Sequence, residues 1–286
     1  MLILARRDFF VMGSAALLTG FASSGSGALR KIATIEAELG GRIGASLYDT
    51  ATGRIAGYRL DERFAMCSTF KVALAGAILQ KTDEGRLSQT ALLDIDTSNI
   101  LSHSPITSQN KRMSIKDLCR SAVQHSDNTA ANMLLEKIGG PKGMTDFFRS
   151  LGDQTTRLDR FELALNSNLP DDPRDTTTAR AMAQSLATLM LNETILRPTS
   201  RSLLATWMID EQNGKNRIRS AIPSGWKVGN KPGTSNNGAV NDIAVLWRPG
   251  KSPLFMSVYT NAPGVKVSES IKAITAETSV LVSQNG

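Results

Sequence analysis

The sequence has two cysteines and two histidines in 286 residues. His103 and His125 are too few for a histidine-rich metal centre, and Cys67 and Cys119 lack metal-ligand spacing. No metal and no cofactor is therefore expected. A long basic block is also missing. The net charge is +7, yet lysine and arginine are interleaved with aspartate and glutamate. Nucleic-acid binding needs a clustered patch, so this charge reads as a solvated surface. There is no internal repeat and no good membrane span. The apolar stretch from Phe9 to Phe21 is too short and too rich in glycine, serine and alanine to cross a bilayer. What remains is ordinary globular composition, 41% hydrophobic and 21% charged, enough for a sizeable core and one or two domains.

That short stretch has a distinctive flank. In "ARRDFFVMGSAALLTGFA" two arginines precede the apolar run, the pattern of a cleaved signal. Arg6-Arg7-Asp8-Phe9-Phe10 resembles the twin-arginine motif read by bacterial export machinery. An ordinary secretory signal with a basic start gives the same compartment. Residues 1–27 are thus expected to be an export signal and the mature protein periplasmic.

Beyond the leader, Leu29, Ile32, Ile35 and Leu39 recur at helical spacing, and Gly40-Gly41 stops the helix. "RIGASLYDT" alternates Ile43, Ala45 and Leu47 like a half-buried strand, and Thr52-Gly53 turns it into a hairpin with "RIAGYRL". From about Asp61 to Asp210 the pattern is helical. After Trp226 come three strand-like segments and a last helix carrying Ile271, Ile274 and Leu281 on one face. If the two strand-rich ends share a sheet, the helical block is an insertion. The expected organisation is a discontinuous α/β domain from residues 28–60 and 210–286, an all-helical domain from 61–209, and a cleft between them.

One segment of the helical block is chemically odd. "STFKVALAGAILQK" is apolar almost all round, as a buried helix should be, yet it carries Lys71 one turn from Ser68. A helix N-terminus offers free N–H groups to a developing oxyanion. A lysine there is a base only if its surroundings lower its pKa. An N-capping serine with a snorkelling lysine is the alternative. Two further elements follow in the chain, Ser126-Asp127-Asn128 and Lys231-Pro232-Gly233-Thr234.

Ser-x-x-Lys, Ser-Asp-Asn and a Lys-x-Gly strand, in this order, resemble the class A serine β-lactamases. The resemblance extends through "DERFAMCSTFK", "RLDRFELALN", "DPRDTTTARAMAQ" and "NDIAVLW", over nearly all of the chain after its leader. It is nearest to cefotaximase-type and carbapenemase-type members. It implies an α/β (α+β) fold: an antiparallel five-stranded sheet flanked by helices plus an all-helical domain, with the active site in the cleft. It implies hydrolysis of the β-lactam amide of penicillins and cephalosporins through a serine acyl-enzyme, giving antibiotic resistance. Ser68 matches the nucleophile and Lys71 the lysine that helps deprotonate it. Ser126 matches the hydroxyl that protonates the leaving nitrogen, helped by Lys231. Glu162 matches the base that holds the deacylating water, with Asn166 as second holder. The N–H groups of Ser68 and Thr234 match the oxyanion hole. Asn128, Thr234, Ser235, Arg217 and His103 match substrate-binding positions; for Arg217 and His103 plain surface residues are the alternative. Residues 157–175 match the family's Ω-loop, with Arg160 and Asp175 paired across its neck.

The sequence departs from the family at two places. Pro232 replaces the usual threonine or serine and removes a hydroxyl that helps hold the substrate carboxylate. Leu163 follows Glu162 where most relatives have proline. No disulfide is expected, since the family's partner position for Cys119 is Ala75 and Cys67 lies about 12 Å up the helix. A D,D-peptidase shares the Ser-x-x-Lys logic but lacks the deacylating glutamate. A slowly deacylating penicillin-binding or sensor protein is the other alternative. The partner expected is a small β-lactam, with no nucleic acid and no stable membrane insertion, and the protein is expected to be a monomer.

Overall fold

A computed structural model describes residues 23–285. Most of the export-signal expectation, residues 1–22, lies outside the described residues. Helix α1 (Ser23–Leu39) leads into strands β1 (Arg42–Asp49), β2 (Ile55–Tyr58) and β3 (Arg63–Ala65). Then come α2 (Phe70–Asp83), β4 (Leu92–Asp94), β5 (Arg112–Ser114), α3 (Ile115–Gln124), α4 (Asn128–Ile138) and α5 (Gly140–Ser150). The chain ends with β6 (Thr176–Thr178), α6 (Ala179–Leu191), α7 (Pro198–Ile209), β7 (Lys227–Thr234), β8 (Ala239–Trp247), β9 (Leu254–Asn261) and α8 (Val267–Asn285).

Strands from both ends of the chain form one antiparallel sheet in the order β2-β1-β9-β8-β7. Its two faces bury different side chains, as the two-residue period of a strand requires. Val240, Ala244, Met256 and Val258 pack with Ile32 of α1 and Ile274 and Leu281 of α8. Ile243, Val245, Phe255 and Tyr259 turn the other way and join the core of α2–α7. The half-buried strand expected at 42–49 is therefore buried from Ile43 to Leu47. Helices cover both faces, so Gly44 and Ser46, between the alternating apolar positions, are also enclosed.

The stretch read as wholly helical contains two short ladders, β3 with β6 and β4 with β5. Each strand is three residues long, too short to show a period. Thr176–Thr178 are β-branched and fit a pleated surface. Where helices do form, side chains start them: Ser114 accepts from Asp117 N, Asp127 from Ala130 N and Thr178 from Ala181 N. Helix α2 is the buried centre, with every residue from Phe70 to Leu79 enclosed. Each of its large apolar side chains contributes about 1.5–3 kcal/mol by leaving water.

Candidate active site

Ser68 sits in a single 3-10 turn, Cys67–Thr69, directly ahead of α2. Its neighbours Cys67 and Thr69 are buried, while Ser68 reaches the cleft. Strand β7 lies close against this turn. A Cβ at Gly233 would stand 2.9 Å from Met66 O and 3.2 Å from Ser68 N, so only glycine permits the approach. Asn241 of β8 ties the turn from behind, its Nδ2 donating to Ala65 O and Met66 O.

The register of β7 explains both Thr234 and Pro232. Ser235 N donates to Ala239 O across the hairpin. Alternate N–H groups point to opposite edges, so residues 234 and 232 aim theirs away from β8. Strand β7 is the sheet edge. Thr234 thus keeps an N–H outside the ladder beside Ser68, and Pro232 breaks no ladder bond.

Lys71 is fully buried, which rules out the snorkelling alternative. Its Nζ donates to Ser126 O at 2.8 Å and to Asn128 Oδ1 at 2.5 Å, and lies 2.9 Å from Glu162 Oε1. Two acceptors thus hold the ammonium by hydrogen bonds, and Glu162 Oε1, which has no hydrogen-bond partner, stands beside it as a counter-charge. Glu162 is equally enclosed. Asn132 on α4 fixes its backbone from both sides, accepting from Glu162 N and donating to Glu162 O. Asn166 Nδ2 donates to Glu162 Oε2 at 2.5 Å, and the buried Asn166 Oδ1 has no protein partner. The Glu162–Leu163 peptide is cis. The loop carrying these residues is clasped at its neck, where Arg160 Nε meets Asp175 Oδ2 at 2.5 Å. Asp175 also accepts from Asp159 N and Arg160 N.

Lys231 on β7 is fully buried as well, but no hydrogen bond holds its Nζ, and Glu211 Oε1 lies 3.9 Å away. Burial, with Lys71 and Arg217 nearby, pushes its ammonium down to about 7. Arg217 is buried, which removes the surface-residue alternative. Its guanidinium donates to Gly233 O, Asn241 O and Thr234 Oγ1. His103 is exposed at the cleft rim, and its carbonyl accepts from Asn128 N. Ser235 lines the cleft, but its hydroxyl oxygen accepts Asn237 N and Ala239 N inside the turn. Both cysteines are free and buried. Burial raises the Cys67 thiol to about 12, so it stays protonated beside Ser68.

The structure gathers the sequence-expected residues around one cleft of about 540 Å³. Ser68, Ser126, Asn128, Asn166, Arg217 and Thr234 line it. Lys71, Glu162 and Lys231 are buried behind that lining. Sequence reasoning missed three positioning residues, Asn132, Asn241 and Asp127. Asp127 accepts from Ile106 N, Thr107 N and Thr107 Oγ1, and so holds the loop that carries His103. Only Asp127 left a signal, as the cap of α4. Among the described residues, no group of three or more histidine, cysteine or acidic side chains is placed to hold a metal ion.

A serine in the cleft, backed by two buried lysines and a buried glutamate, is the constellation to compare with known proteins. The profile described as "Beta-lactamase enzyme family" matches residues 28–284. The chain belongs to the class A β-lactamases. It is 42% identical over 255 residues to Beta-lactamase CTX-M-8 of Citrobacter amalonaticus, covering 88% of this chain and 87% of that one. It is 42% identical over 253 residues to the carbapenem-hydrolyzing beta-lactamase KPC of Klebsiella oxytoca, covering 85% of each. A solved β-lactamase from Xanthomonas campestris superposes with a TM-score of 0.89 at 41% identity, over 92% of this chain and 99% of that one. This class A β-lactamase is accordingly a β-lactam hydrolase working through a serine acyl-enzyme. None of its described helices is long and apolar enough to cross a membrane.

Proposed function

We propose that the residues of this cleft divide the two half-reactions as follows. Ser68 Oγ attacks the lactam carbonyl while its proton passes to the Lys71–Glu162 pair. The N–H groups of Ser68 and Thr234 receive the oxyanion. The ring C–N bond breaks as Ser126 Oγ donates its proton to the nitrogen, and Lys231 supports Ser126. The product is an ester on Ser68. Glu162, with Asn166, then takes a proton from water, whose oxygen attacks that ester and frees Ser68. Asn128 binds the acylamino group. Arg217, Thr234 and Lys231 receive the carboxylate that the hydroxyl missing at 232 no longer holds. His103 forms the rim. The protein works as a monomer after export to the periplasm, with no cofactor.

One observation carries this reading: the buried contact of 2.9 Å between Lys71 and Glu162. It joins the group that activates Ser68 to the carboxylate that a D,D-peptidase lacks. The test is stopped-flow turnover of a chromogenic cephalosporin beside intact-mass detection. Fast turnover by the wild type, with an acyl adduct trapped on Ser68 in Glu162→Gln, is the expected result. A single burst with a long-lived adduct in the wild type would instead make this a slowly deacylating binder.

A further inference from the structure

Glu211 carries a buried carboxylate that the reaction scheme above does not use. It lies two residues past α7 and is fully enclosed, as Lys231 is. Among the described residues it offers the only carboxylate oxygen within 4.0 Å of the Lys231 ammonium, Oε1 at 3.9 Å. That separation is too long for a hydrogen bond. Between two enclosed groups it is short enough for a strong interaction of charges.

The chain around Glu211 fixes that distance. Its Oε1 accepts from Asn213 N at 2.8 Å and its Oε2 from Gly214 N at 2.6 Å. The turn so formed is tied on one side to the end of α3, where Gln212 N donates to Gln124 O two residues before Ser126. On the other side Asn230 Nδ2 of β7 donates to Gly214 O. A Cβ at Gly214 would stand 2.5 Å from Asn230 Nδ2 and 3.0 Å from Pro232 Cδ, so glycine lets the turn press on both neighbours of Lys231. The other charged groups that act on Lys231 are Lys71, Arg217 and Asp242, and each is held elsewhere. Lys71 donates to Ser126 O and Asn128 Oδ1 beside Glu162. Arg217 donates to Gly233 O, Asn241 O and Thr234 Oγ1. Asp242, across the ladder from Pro232, accepts from Asn230 Nδ2 and Ile218 N.

We propose that Glu211 is a positioning residue for acylation: its carboxylate keeps Lys231 an ammonium in the empty cleft and stands too far back to hold it once a substrate carboxylate arrives. The inference rests on the β-lactamase reading, in which Lys231 supports Ser126 and receives that carboxylate. Burial tends to discharge a lysine, and among its charged neighbours Glu211 opposes this most. A hydrogen-bonded pair in the same place would have to be broken by every substrate, leaving a desolvated carboxylate behind. At 3.9 Å there is no such bond to break. Glu211 touches neither substrate nor reacting atoms and acts only through Lys231.

The test is the pH profile of kcat/KM for an anionic chromogenic cephalosporin, with the acylation rate followed by intact mass. Glu211→Gln removes the charge at nearly constant volume. Glu211→Asp keeps the charge and draws it back by one methylene. Both are made in the wild type and in Lys231→Arg, whose charge is permanent. In the wild type the fall of kcat/KM with rising pH is expected at about 7. Glu211→Gln should move that fall about 1–2 pH units lower, a loss of about tenfold at pH 7. Glu211→Asp should shift it the same way by less. In the Lys231→Arg background neither substitution should move the profile, since the two positions act as one unit. An unmoved fall in variants that fold, an equal loss at every pH, or the same shift in the arginine background overturns the proposal and leaves Glu211 a structural role. If Glu211→Gln does not fold, the shift in Glu211→Asp decides alone. A wild type that forms no ester on Ser68 fails the hydrolytic reading and this inference with it. An ester that forms with an unmoved pH profile in the variants fails the Glu211 inference alone.

Discussion

Lys71 and Lys231 share a side chain and complete burial, yet they live in different company. Lys71, on a helix, donates to Ser126 O and Asn128 Oδ1 and has the Glu162 carboxylate 2.9 Å away. Lys231, on an edge strand, has no hydrogen bond; Glu211 Oε1 lies 3.9 Å away, and Asp242 on the paired strand also acts on its charge. Burial alone therefore does not fix what a lysine does. In the mechanism proposed above, the enclosed partners of Lys71 make it one end of a proton path. The isolation of Lys231 makes its charge conditional, and in the mechanism proposed above an arriving substrate carboxylate supplies the partner. Two buried lysines are thus one held in a fixed pair and one whose ammonium no hydrogen bond holds.

The largest effect comes from taking partners away from Lys71. Glu162→Gln replaces the carboxylate with an amide that accepts no proton at neutral pH. A general base is worth about 10²–10⁴-fold. We expect kcat to fall by about 10³-fold, with the ester on Ser68 visible by intact mass. A kcat within tenfold of wild type would mean that Lys71 alone serves both half-reactions.

The next effect tests the isolation of Lys231. In the free enzyme its ammonium is held down to about 7, chiefly by burial. For an anionic β-lactam, kcat/KM should therefore fall as pH rises through about 7, because the receptor loses its charge. The limb in kcat should lie higher, since the bound carboxylate stabilises the ammonium. Lys231→Arg keeps its charge over this whole range and should remove the limb. Stability should move the other way. Between about 7 and the ordinary lysine pKa near 10.5, the unfolded chain binds a proton that the folded protein does not. This group's contribution to stability therefore grows as pH rises through that window. A pH profile in which Lys231→Arg and wild type coincide would show that the charge is not conditional.

Pro232 adjoins that receptor and should give a smaller change. Its nitrogen points off the sheet edge, so Pro232→Thr adds a hydroxyl without altering the ladder. One added hydrogen bond to a charged group predicts a fall of about tenfold in KM for anionic substrates. The variant should also lose about 0.4–1 kcal/mol of stability, because proline restricts the unfolded chain. An unchanged KM would mean that Arg217 and Thr234 already hold the carboxylate fully.

How much of this was legible in the sequence follows from the range of each signal. Ser68, Lys71, Ser126, Glu162 and Lys231 were readable because each lies in a short motif. The helices starting at Ile115, Asn128 and Ala179 each follow a capping side chain, which is a local signal. The ties that set the geometry were not readable. Asn132 grips Glu162 across 30 positions, and Asn241 reaches Met66 across 175. An asparagine that makes such a bond looks like any surface asparagine until the chain is folded. The enclosure of β1 was missed for a related reason, since alternation shows which face is apolar and not whether a helix covers the other.

Glu277 extends the comparison to a buried group with no company at all, and its effect is the smallest. It lies on α8, fully enclosed, and neither carboxylate oxygen has a partner. The charged group facing it is Glu36 of α1, whose own carboxylate is taken up by Arg59, Tyr58 and Ile43 N. Burial, and then the like charge of Glu36, push the Glu277 carboxyl well above the usual carboxylate range. The folded protein therefore favours the protonated carboxyl more than the unfolded chain does. The folded state holds the extra proton, so stability falls as pH rises above the ordinary carboxylate pKa near 4.5. Glu277→Met fills similar volume without a polar atom to leave unpaired. We expect Tm to rise by about 2–4 °C at pH 7, with a smaller gain at pH 5 and no change in kcat. A gain equal at both pH values would mean that Glu277 costs stability through its unpaired oxygens and not through its charge.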